Sequence, residues 1–306
     1  MKHEPVLLTE VIGFLRPSRE EGVLVDATLG LGGHSAELLR AYPRITLLGI
    51  DRDPDALAAA GKRLEEFGSR VVLARGRHEQ LIEILKQHGI EAIAGLIADL
   101  GVSSMQLDEA SRGFSFRFEG PLDMRMSREG TSAADLVNEL PEEDLVRILR
   151  EYGEEPMAKK IARAIVAARQ EGRIETTSQL AAIIRSVKKS RPQDIDPSTL
   201  TFQALRIATN EELVELDRFT DAAVSVAEPG ARVAIITFHS LEDRIIKRAF
   251  RRLEGECTCP RGLPVCACGR TEVVKTLTRH PVAASEEERI TNPRSRSAKL
   301  RVAEKL

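Results

Sequence analysis

Glycines and a carboxylate stand where they could bind a nucleotide-like ligand. The segment Gly30-Leu-Gly-Gly33 follows a short apolar run, and Asp51 ends the next run, 18 residues after Gly33. Glycines let the backbone turn tightly and approach a ligand, because no Cβ intervenes. The helix expected after the loop would direct free N–H groups at the ligand, and Asp51 could accept hydrogen bonds from a ribose diol. The spacing favours a binding loop over an ordinary strand-to-helix turn.

The glycine pattern also restricts the identity of the ligand. A nicotinamide dinucleotide site requires Gly-x-Gly-x-x-Gly, and counting from Gly30 the last position holds Ser35. The sequence also contains no phosphate-clamping Gly-Lys-Ser/Thr motif. A cofactor without a pyrophosphate fits better, which favours S-adenosylmethionine and a methyltransferase. A nucleotide-dependent oxidoreductase is the weaker alternative.

Three more polar residues follow apolar runs and are expected at the same edge of a sheet. His78 could lie against an adenine ring or be a plain surface histidine. Asp99 is interpreted as functional, since burying an unpaired carboxylate is costly. His239 could titrate near neutral pH, and a hydrogen-bonded structural role is equally open for it. Asp99, His239 or both are the candidate proton acceptors of a reaction at this edge.

The elements that must position these residues alternate between strand and helix. Apolar β runs are predicted at Val23–Thr28, Thr46–Asp51, Val71–Gly76 and Ala94–Leu100, with helices between them. Further β runs are predicted at Ala231–Phe238, Val273–Leu277 and Lys299–Leu306. Such alternation predicts a Rossmann-like α/β fold with a mainly parallel sheet covered on both faces.

The chain from about 131 to 227 shows helical periodicity and no convincing strand. Apolar residues at Met157, Ile161 and Ile165, for example, repeat at helical spacing. We therefore expect a methyltransferase domain made of residues 1–108 and 213–306. An all-helical insert at 109–212 would interrupt it and recognise the substrate.

RNA binding would need local surfaces, because the formal net charge is only −2. Basic residues cluster in three places, at 185–191, 244–252 and 289–301. Phe114, Phe116 and Phe118 alternate with polar residues, which predicts one face of a short strand. That face could be core, or one ring could stack on an extruded base of single-stranded RNA.

All four cysteines fall in two Cys-x-Cys pairs, namely Cys257, Cys259, Cys266 and Cys268. Their clustering argues against a distributed disulfide framework and fits a reducing compartment. They could bind a structural zinc ion, although reduced, unliganded thiols are favoured, and no catalytic metal is expected. The N-terminus lacks signal-peptide character, and no apolar stretch approaches the ~20 residues that span a bilayer. We expect a cytoplasmic protein.

Longer motifs extend across nearly the whole chain. They are Asp26–Ser35, Gly49–Pro54, Asp99–Ser104, Arg112–Phe116, Gly120–Met126, Ala134–Asn138, Tyr152–Glu155, Thr201–Arg206, Thr237–Arg244 and Asn292–Ala298. Together they closely resemble the bacterial 16S ribosomal RNA cytosine-N4 methyltransferase family, also called the MraW family. Gly120–Met126 and Phe238–Arg244 are far more specific than the glycine loop.

The resemblance implies a class I methyltransferase fold with a helical insert, and N4-methylation of a cytidine in the decoding region of 16S rRNA. It implies S-adenosylmethionine as cofactor and 16S rRNA, within the small ribosomal subunit, as partner; no protein partner is implied. By motif, the implied cofactor contacts are Gly32, Gly33, His34, Asp51, Asp99 and Gln106. This chain has His78 where the family commonly has Phe. A nonenzymatic RNA-binding regulator that retains the fold is the alternative from another class.

Overall fold

The structure is a computed structural model that describes residues 5–189, 196–257, 259 and 271–306. It divides into two compact units. A sheet unit comprises Met1–Gly101 and Leu213–Leu306, and a helical unit comprises Val102–Glu212. The helical unit begins earlier than the insert predicted at 109–212, because residues 102–108 fold with it. Within the described ranges, no helix is long and apolar enough to cross a membrane.

One sheet contains all eight strands found in the described residues. The strands are β1 (Gly22–Asp26), β2 (Ile45–Asp51), β3 (Val71–Arg75), β4 (Ile93–Asp99), β5 (Ala227–Thr237), β6 (Val274–Thr276), β7 (Val282–Ala283) and β8 (Lys299–Lys305). Their order is β3-β2-β1-β4-β5-β8-β6, with β7 paired to β8. Strands β1 to β5 pair in parallel, and β8 runs antiparallel to β5, β6 and β7. This confirms the predicted Rossmann-like α/β fold with a mainly parallel sheet.

Helices cover the sheet and build the second unit. They are α1 (Leu8–Phe14), α2 (Gly33–Ala41), α3 (Pro54–Leu64), α4 (Leu81–Gln87), α5 (Ser104–Asp108), α6 (Ala133–Glu139), α7 (Glu142–Glu151), α8 (Ala158–Glu171), α9 (Thr177–Val187), α10 (Thr199–Asn210), α11 (Leu216–Val226), α12 (Ser240–Leu253) and α13 (Glu286–Thr291). Helix α3 begins at Pro54, where the missing N–H is not needed, and the Asp53 side chain caps it by accepting from the Asp55 N–H.

The central strands are buried on both faces, which explains their continuous apolar runs. Leu96 of β4 and Ile235 of β5 belong to one apolar cluster, whereas the adjacent Ile97 and Ile236 belong to another. Successive side chains of a strand point to opposite faces. The strand order reverses between β1 and β4, and ligands of open α/β sheets bind at the carboxyl ends of strands at such a point. The sheet therefore places its ligand site beside the last residues of β1 and β4.

The helical unit has an apolar core of its own, and the loop before α6 differs from the sequence prediction. No strand forms over Phe114–Phe118, so the predicted strand face is wrong. Phe114 is buried, the ring of Phe116 lies 5.1 Å from that of Phe202, and Phe118 is 53% exposed. The chain bends at Gly113, whose φ of 70° requires glycine, and so the three rings do not share a face.

Candidate functional site

The glycine loop joins β1 to α2 and is held in place by β2. The Gly30 N–H donates to Asp51 Oδ2 at 2.7 Å, and the Leu29 N–H donates to the Ile50 carbonyl at 2.8 Å. Gly32 has a φ of 70°, and α2 starts directly after it. No side chain in the described ranges caps this helix, and a helix N-terminus presents N–H donors to a ligand. The loop is therefore fixed in one shape by the protein itself.

Asp51 uses both carboxylate oxygens to hold the backbone. Its Oδ2 accepts from Gly30, and its Oδ1 accepts from the Asp53 N–H at 2.9 Å. Burial raises the pKa of Asp51, and these two backbone N–H groups act in the opposite direction. A carboxylate offers about four acceptor positions, so Asp51 can still accept from a ligand such as a ribose diol.

Asp26 connects three segments at the end of β1. It is buried, its Oδ2 accepts from Ser35 Oγ at 2.6 Å, and its Oδ1 accepts from the Thr28 N–H at 3.2 Å. The Thr28 hydroxyl in turn accepts from the Asp99 N–H at 2.5 Å. Ser35, the residue that breaks the dinucleotide glycine pattern, thus ties α2 to β1. A chain of polar contacts runs from α2 through β1 to the end of β4.

Asp99, the last residue of β4, differs from the other carboxylates of the site. Its Oδ1 is buried and has no hydrogen-bond partner in the part of the chain that the structure describes. Its Oδ2 lies 3.8 Å from His34 Nδ1, which is too far for a hydrogen bond. Burial raises the pKa of Asp99 to about 8, and the nearby carboxyl groups of Asp26 and Glu242 add to the rise. In this environment Asp99 is largely protonated at neutral pH.

The carboxyl groups of this edge repel one another. Burial, with a smaller contribution from the charge of Asp51, raises the pKa of Asp26 to about 6. Asp26 and Glu242 raise the pKa of Asp99 in the same way. Like charges disfavour joint ionisation, whereas a cation placed among them would restore it. The arrangement favours a ligand that carries positive charge.

His34 and Gly33 lie at the start of α2 and contact the N-terminal segment. Nε2 of the buried His34 is 2.8 Å from the Val6 carbonyl, so this nitrogen carries the hydrogen. A Cβ at position 33 would lie 2.7 Å from Pro5 Cγ. Leu7, the residue after Val6, donates its N–H to Glu288 Oε1 of α13 at 2.8 Å. The two predicted cofactor residues therefore also anchor the chain that covers the loop.

His78 follows β3 as predicted, but its ring packs into the protein. The ring lies 4.7 Å from that of Phe219 of α11 at 73°, an edge-on contact. Burial lowers the pKa of His78 to about 4, so the ring is neutral at physiological pH. Its Nε2 is buried without a hydrogen-bond partner among the described residues. The adenine contact stays a prediction, and Phe219 already covers the ring from one side.

His239 stands at the end of β5 and caps α12. Its Nδ1 accepts from the Glu242 N–H at 3.4 Å, and Glu242 Oε2 accepts from the Phe238 N–H at 2.8 Å. Because Nδ1 accepts, the hydrogen of a neutral ring is on Nε2. That atom lies 3.2 Å from Glu242 Oε1 without hydrogen-bond geometry. The structure thus brings His239 to the active edge in a capping role, and its role as proton acceptor stays a prediction.

Gln106 belongs to the helical unit. It is buried, and its Oε1 accepts from the Ser103 N–H at 3.0 Å, while Ser103 Oγ accepts from the Gln106 N–H at 3.3 Å. This reciprocal pair is a capping box that starts α5. The predicted cofactor contact of Gln106 stays a prediction.

Sequence reasoning missed the roles of Asp26, Thr28 and Glu242 at the sheet edge. Asp26 ends a strand, as Asp51 and Asp99 do, and that shared position was a usable signal. Thr28 gave none, because its partner is 71 residues away. Glu242 stands three residues after His239, which is the spacing of a capping box.

Some residues of the basic clusters predicted to contact RNA form ion pairs within the protein. Arg301 is 4% exposed and pairs with Asp243 at 2.6 Å, so its assignment to a phosphate-binding surface is wrong. Arg252 pairs with Asp221 at 2.8 Å. Lys188 of the helical unit pairs with the buried Glu155 at 2.7 Å. Two of the four cysteines that could bind zinc, Cys266 and Cys268, lie outside the described residues, so zinc binding stays a prediction.

Together, the glycine loop, the carboxyl groups at the strand ends and the sheet order define an α/β enzyme of the class I methyltransferase type. The family model described as the MraW methylase family matches residues 1–306. The chain belongs to this family, as the resemblance in its motifs predicted.

Curated relatives agree along their full length. The chain is 52% identical over 310 residues to a protein of Pelobacter propionicus named ribosomal RNA small subunit methyltransferase H, covering 100% of this chain and 99% of that one. A protein of Symbiobacterium thermophilum with the same name is 49% identical, with 99% and 96% covered. A solved structure titled as a putative rRNA-methylase from Clostridium thermocellum aligns over 100% of both chains at 12% identity and a TM-score of 0.43. A likeness that distant carries no conclusion for this chain.

Proposed function

We propose that this protein transfers a methyl group from S-adenosylmethionine to N4 of a cytidine in the decoding region of 16S rRNA, within the small ribosomal subunit. Membership of the MraW methylase family and the names of relatives near 50% identity support rRNA methylation. The motif resemblance supports the cytosine-N4 chemistry and the decoding region. An rRNA substrate also implies a cytoplasmic protein.

The cofactor assignment rests mainly on one observation, namely that the carboxyl groups of Asp26 and Glu242 lie near that of Asp99. S-adenosylmethionine brings a sulfonium and an ammonium group, and one cation beside Asp99 would return it to the charged form. The buried Oδ1 of Asp99 has no hydrogen-bond partner in the described ranges and offers an acceptor. The oxidoreductase alternative is opposed by Ser35, which stands where the dinucleotide pattern needs glycine and whose hydroxyl donates to Asp26.

The chemistry needs positioning more than it needs strong acids or bases. Bound S-adenosylmethionine supplies a methyl group that its sulfonium charge has already activated. The fixed glycine loop, with Gly32 and Gly33, and the remaining acceptor positions of Asp51 would hold the cofactor in one orientation. Orientation of this kind can contribute up to ~7–11 kcal/mol in well-aligned intramolecular reactions.

The nucleophile is the cytosine amine, whose lone pair is delocalised into the ring. An acceptor for one of its protons would localise that pair as the bond to carbon forms. Asp99 is the better candidate, because a carboxylate that pairs with the cofactor still has acceptor positions left, whereas His239 uses Nδ1 to cap α12. The helical unit, Val102–Glu212, is proposed to recognise the rRNA.

Two measurements test the proposal. Calorimetry with S-adenosylmethionine and with NAD separates the two cofactor classes, and we expect binding of the first only. Incubation of purified protein with labelled cofactor and small subunits lacking the modification should label 16S rRNA, and nucleoside analysis should show N4-methylcytidine. Cofactor binding without methyl transfer would favour the nonenzymatic RNA-binding regulator.

A further inference from the structure

Phe118 stands out among the exposed apolar side chains of the described residues. Four large apolar residues are exposed there, namely Phe118, Val214, Ile290 and Leu306. Phe118 is the one aromatic ring in this group, and it belongs to the helical unit. Single exposed apolar residues are common and need no explanation by themselves. Phe118 differs from the other three because several hydrogen bonds fix the loop that carries it.

The loop that carries Phe118 has no regular secondary structure but is fixed at several points. Thr177 Oγ1, buried at the start of α9, donates to the Phe118 carbonyl at 2.9 Å and accepts from the Gly120 N–H at 3.2 Å. The Thr177 N–H also donates to the Gly120 carbonyl at 3.0 Å. At Gly120 a Cβ would lie 1.9 Å from the Ala110 carbonyl oxygen. An exposed ring on a loop anchored this closely loses little conformational freedom on binding.

A cationic side chain lies next to Phe118 in the sequence. The Arg117 guanidinium, adjacent in the chain, has no ion-pair or hydrogen-bond partner in the ranges that the structure describes. The guanidinium of Arg185 lies 5.9 Å from the ring centre of Phe116, but it pairs with Asp196 at 2.7 Å, so Arg117 is the cation left to contact a phosphate. Single-stranded RNA is bound by this combination, in which bases stack on aromatic rings while cations contact phosphates.

We propose that Phe118 stacks on an unpaired base of the rRNA substrate while Arg117 contacts a neighbouring phosphate. The inference rests on the proposed function, since it names a substrate contact of the same enzyme. It selects one ring from the phenylalanines at 114, 116 and 118, because the other two pack inside the helical unit. The occupant is RNA rather than a second copy of the chain, because Arg117, next to Phe118 in the sequence, has no acidic partner among the described residues and is suited to a phosphate.

The chain contains no tryptophan, so Phe118→Trp creates a single fluorescent reporter at the proposed contact. A short oligocytidylate RNA and small ribosomal subunits are the two probes, and labelled-RNA anisotropy reports binding independently. We expect each probe to quench the emission as it binds. The matched control is Val214→Trp, at an exposed position of the sheet unit outside the three basic clusters, whose emission should not change. Unchanged Phe118→Trp emission while RNA is bound would refute the proposal, and so would a change driven by protein concentration alone.

Kinetics supply a second test. Phe118→Ala should raise the KM for RNA roughly fivefold to a hundredfold, the range expected for loss of one base–aromatic stack. The Kd for S-adenosylmethionine should stay unchanged, and Phe118→Tyr should restore the KM. An unchanged KM in Phe118→Ala overturns the stacking proposal alone, whereas absence of methyl transfer by the unaltered protein overturns the proposed function.

Discussion

The two sides of the candidate site satisfy their polar groups in opposite ways. At the ends of β1 and β2, the carboxylates of Asp26 and Asp51 accept hydrogen bonds from the glycine loop and from Ser35. At the end of β4, the buried Oδ1 of Asp99 has no partner in the described structure, and the charge of that carboxyl is opposed by its neighbours. On the first side every carboxylate oxygen already has a donor from the protein, and on the second side one oxygen has none.

We propose that this difference separates residues that mainly shape the site from Asp99, which would contact the reacting molecules. A buried acceptor left unpaired costs on the order of 1–3 kcal/mol, and proteins keep such groups where a ligand later supplies the partner. Substitutions of Asp26 or Asp51 should therefore alter the shape of the glycine loop. Substitutions of Asp99 should instead alter the charge that a ligand meets.

The largest effect is expected for Asp99→Asn, which keeps the size of the side chain and removes its charge. Methylation in a single turnover should fall by about 10²–10⁴, the usual contribution of an acid–base group. Asp217→Asn, at an exposed carboxylate of α11 that pairs with Arg252, is the matched control and should leave the rate unchanged. A rate for Asp99→Asn equal to that of the control would remove Asp99 from the chemistry.

The pH dependence of cofactor binding tests the same residue without mutation. Asp99 has a pKa of about 8 in the structure described here, so it must lose a proton before it can pair with a cationic cofactor. The affinity for S-adenosylmethionine should therefore rise with pH, by about tenfold per unit, and level off above about 8. Calorimetry in buffers of different ionisation heat should detect the released proton. An affinity that does not change between pH 6 and pH 8 would contradict this prediction.

The same shift bears on the stability of the cofactor-free protein. Unfolding lets Asp99 ionise near its ordinary pKa of 3.8, well below its folded value. The folded state therefore binds more protons between these two values, and the free energy of unfolding should fall as pH rises from about 4 to about 8. Urea unfolding of Asp99→Asn should show a shallower fall than the unaltered protein. Equal slopes would show that Asp99 is not the source.

A smaller effect is expected for Thr28, which links the two sides. Thr28→Val removes the hydroxyl that accepts from the Asp99 N–H and leaves that N–H unpaired, at a cost of about 1–3 kcal/mol. Methylation should drop about tenfold, mainly in kcat if Asp99 is displaced. Thr28→Ser retains the acceptor and should restore most of the rate. Equal activity in both variants would show that this link does not position Asp99.

The smallest effect is expected at His239. His239→Ala removes the cap of α12 and should lower the free energy of unfolding by about 1 kcal/mol, whereas His239→Asn supplies another good cap. Thermal melts of the two variants measure this difference. If His239 is a cap, both variants keep most of the methylation rate; a large loss in the asparagine variant would restore His239 as a proton acceptor.

The sheet could be predicted because strands buried on both faces give apolar runs that the sequence displays directly. Polar residues at the ends of those runs, Asp51 and Asp99, were identified for the same reason. The contact between His78 and Phe219 could not be predicted, because the two rings are far apart in the chain. The link from Thr28 to Asp99 is non-local in the same way.

The wrong prediction at Phe114–Phe118 has a different cause. Alternation with period two is necessary for a half-buried strand, but a strand also needs a neighbour to pair with. Here the backbone passes close to other backbone at Gly113 and Gly120, where a Cβ would lie 2.1 Å from the Pro121 carbonyl oxygen and 1.9 Å from the Ala110 carbonyl oxygen, and the segment turns at both residues. A short alternating run next to glycines can therefore equally indicate a loop.

The hydrogen bond from Leu7 to Glu288 relates the site to the order of protein synthesis. The residues that contact the glycine loop are made 281 residues before their anchor in α13. Strand β8, later still, inserts between β5 and β6. A nascent chain can form the parallel strands early, but it cannot anchor the segment over the glycine loop until α13 has left the ribosome.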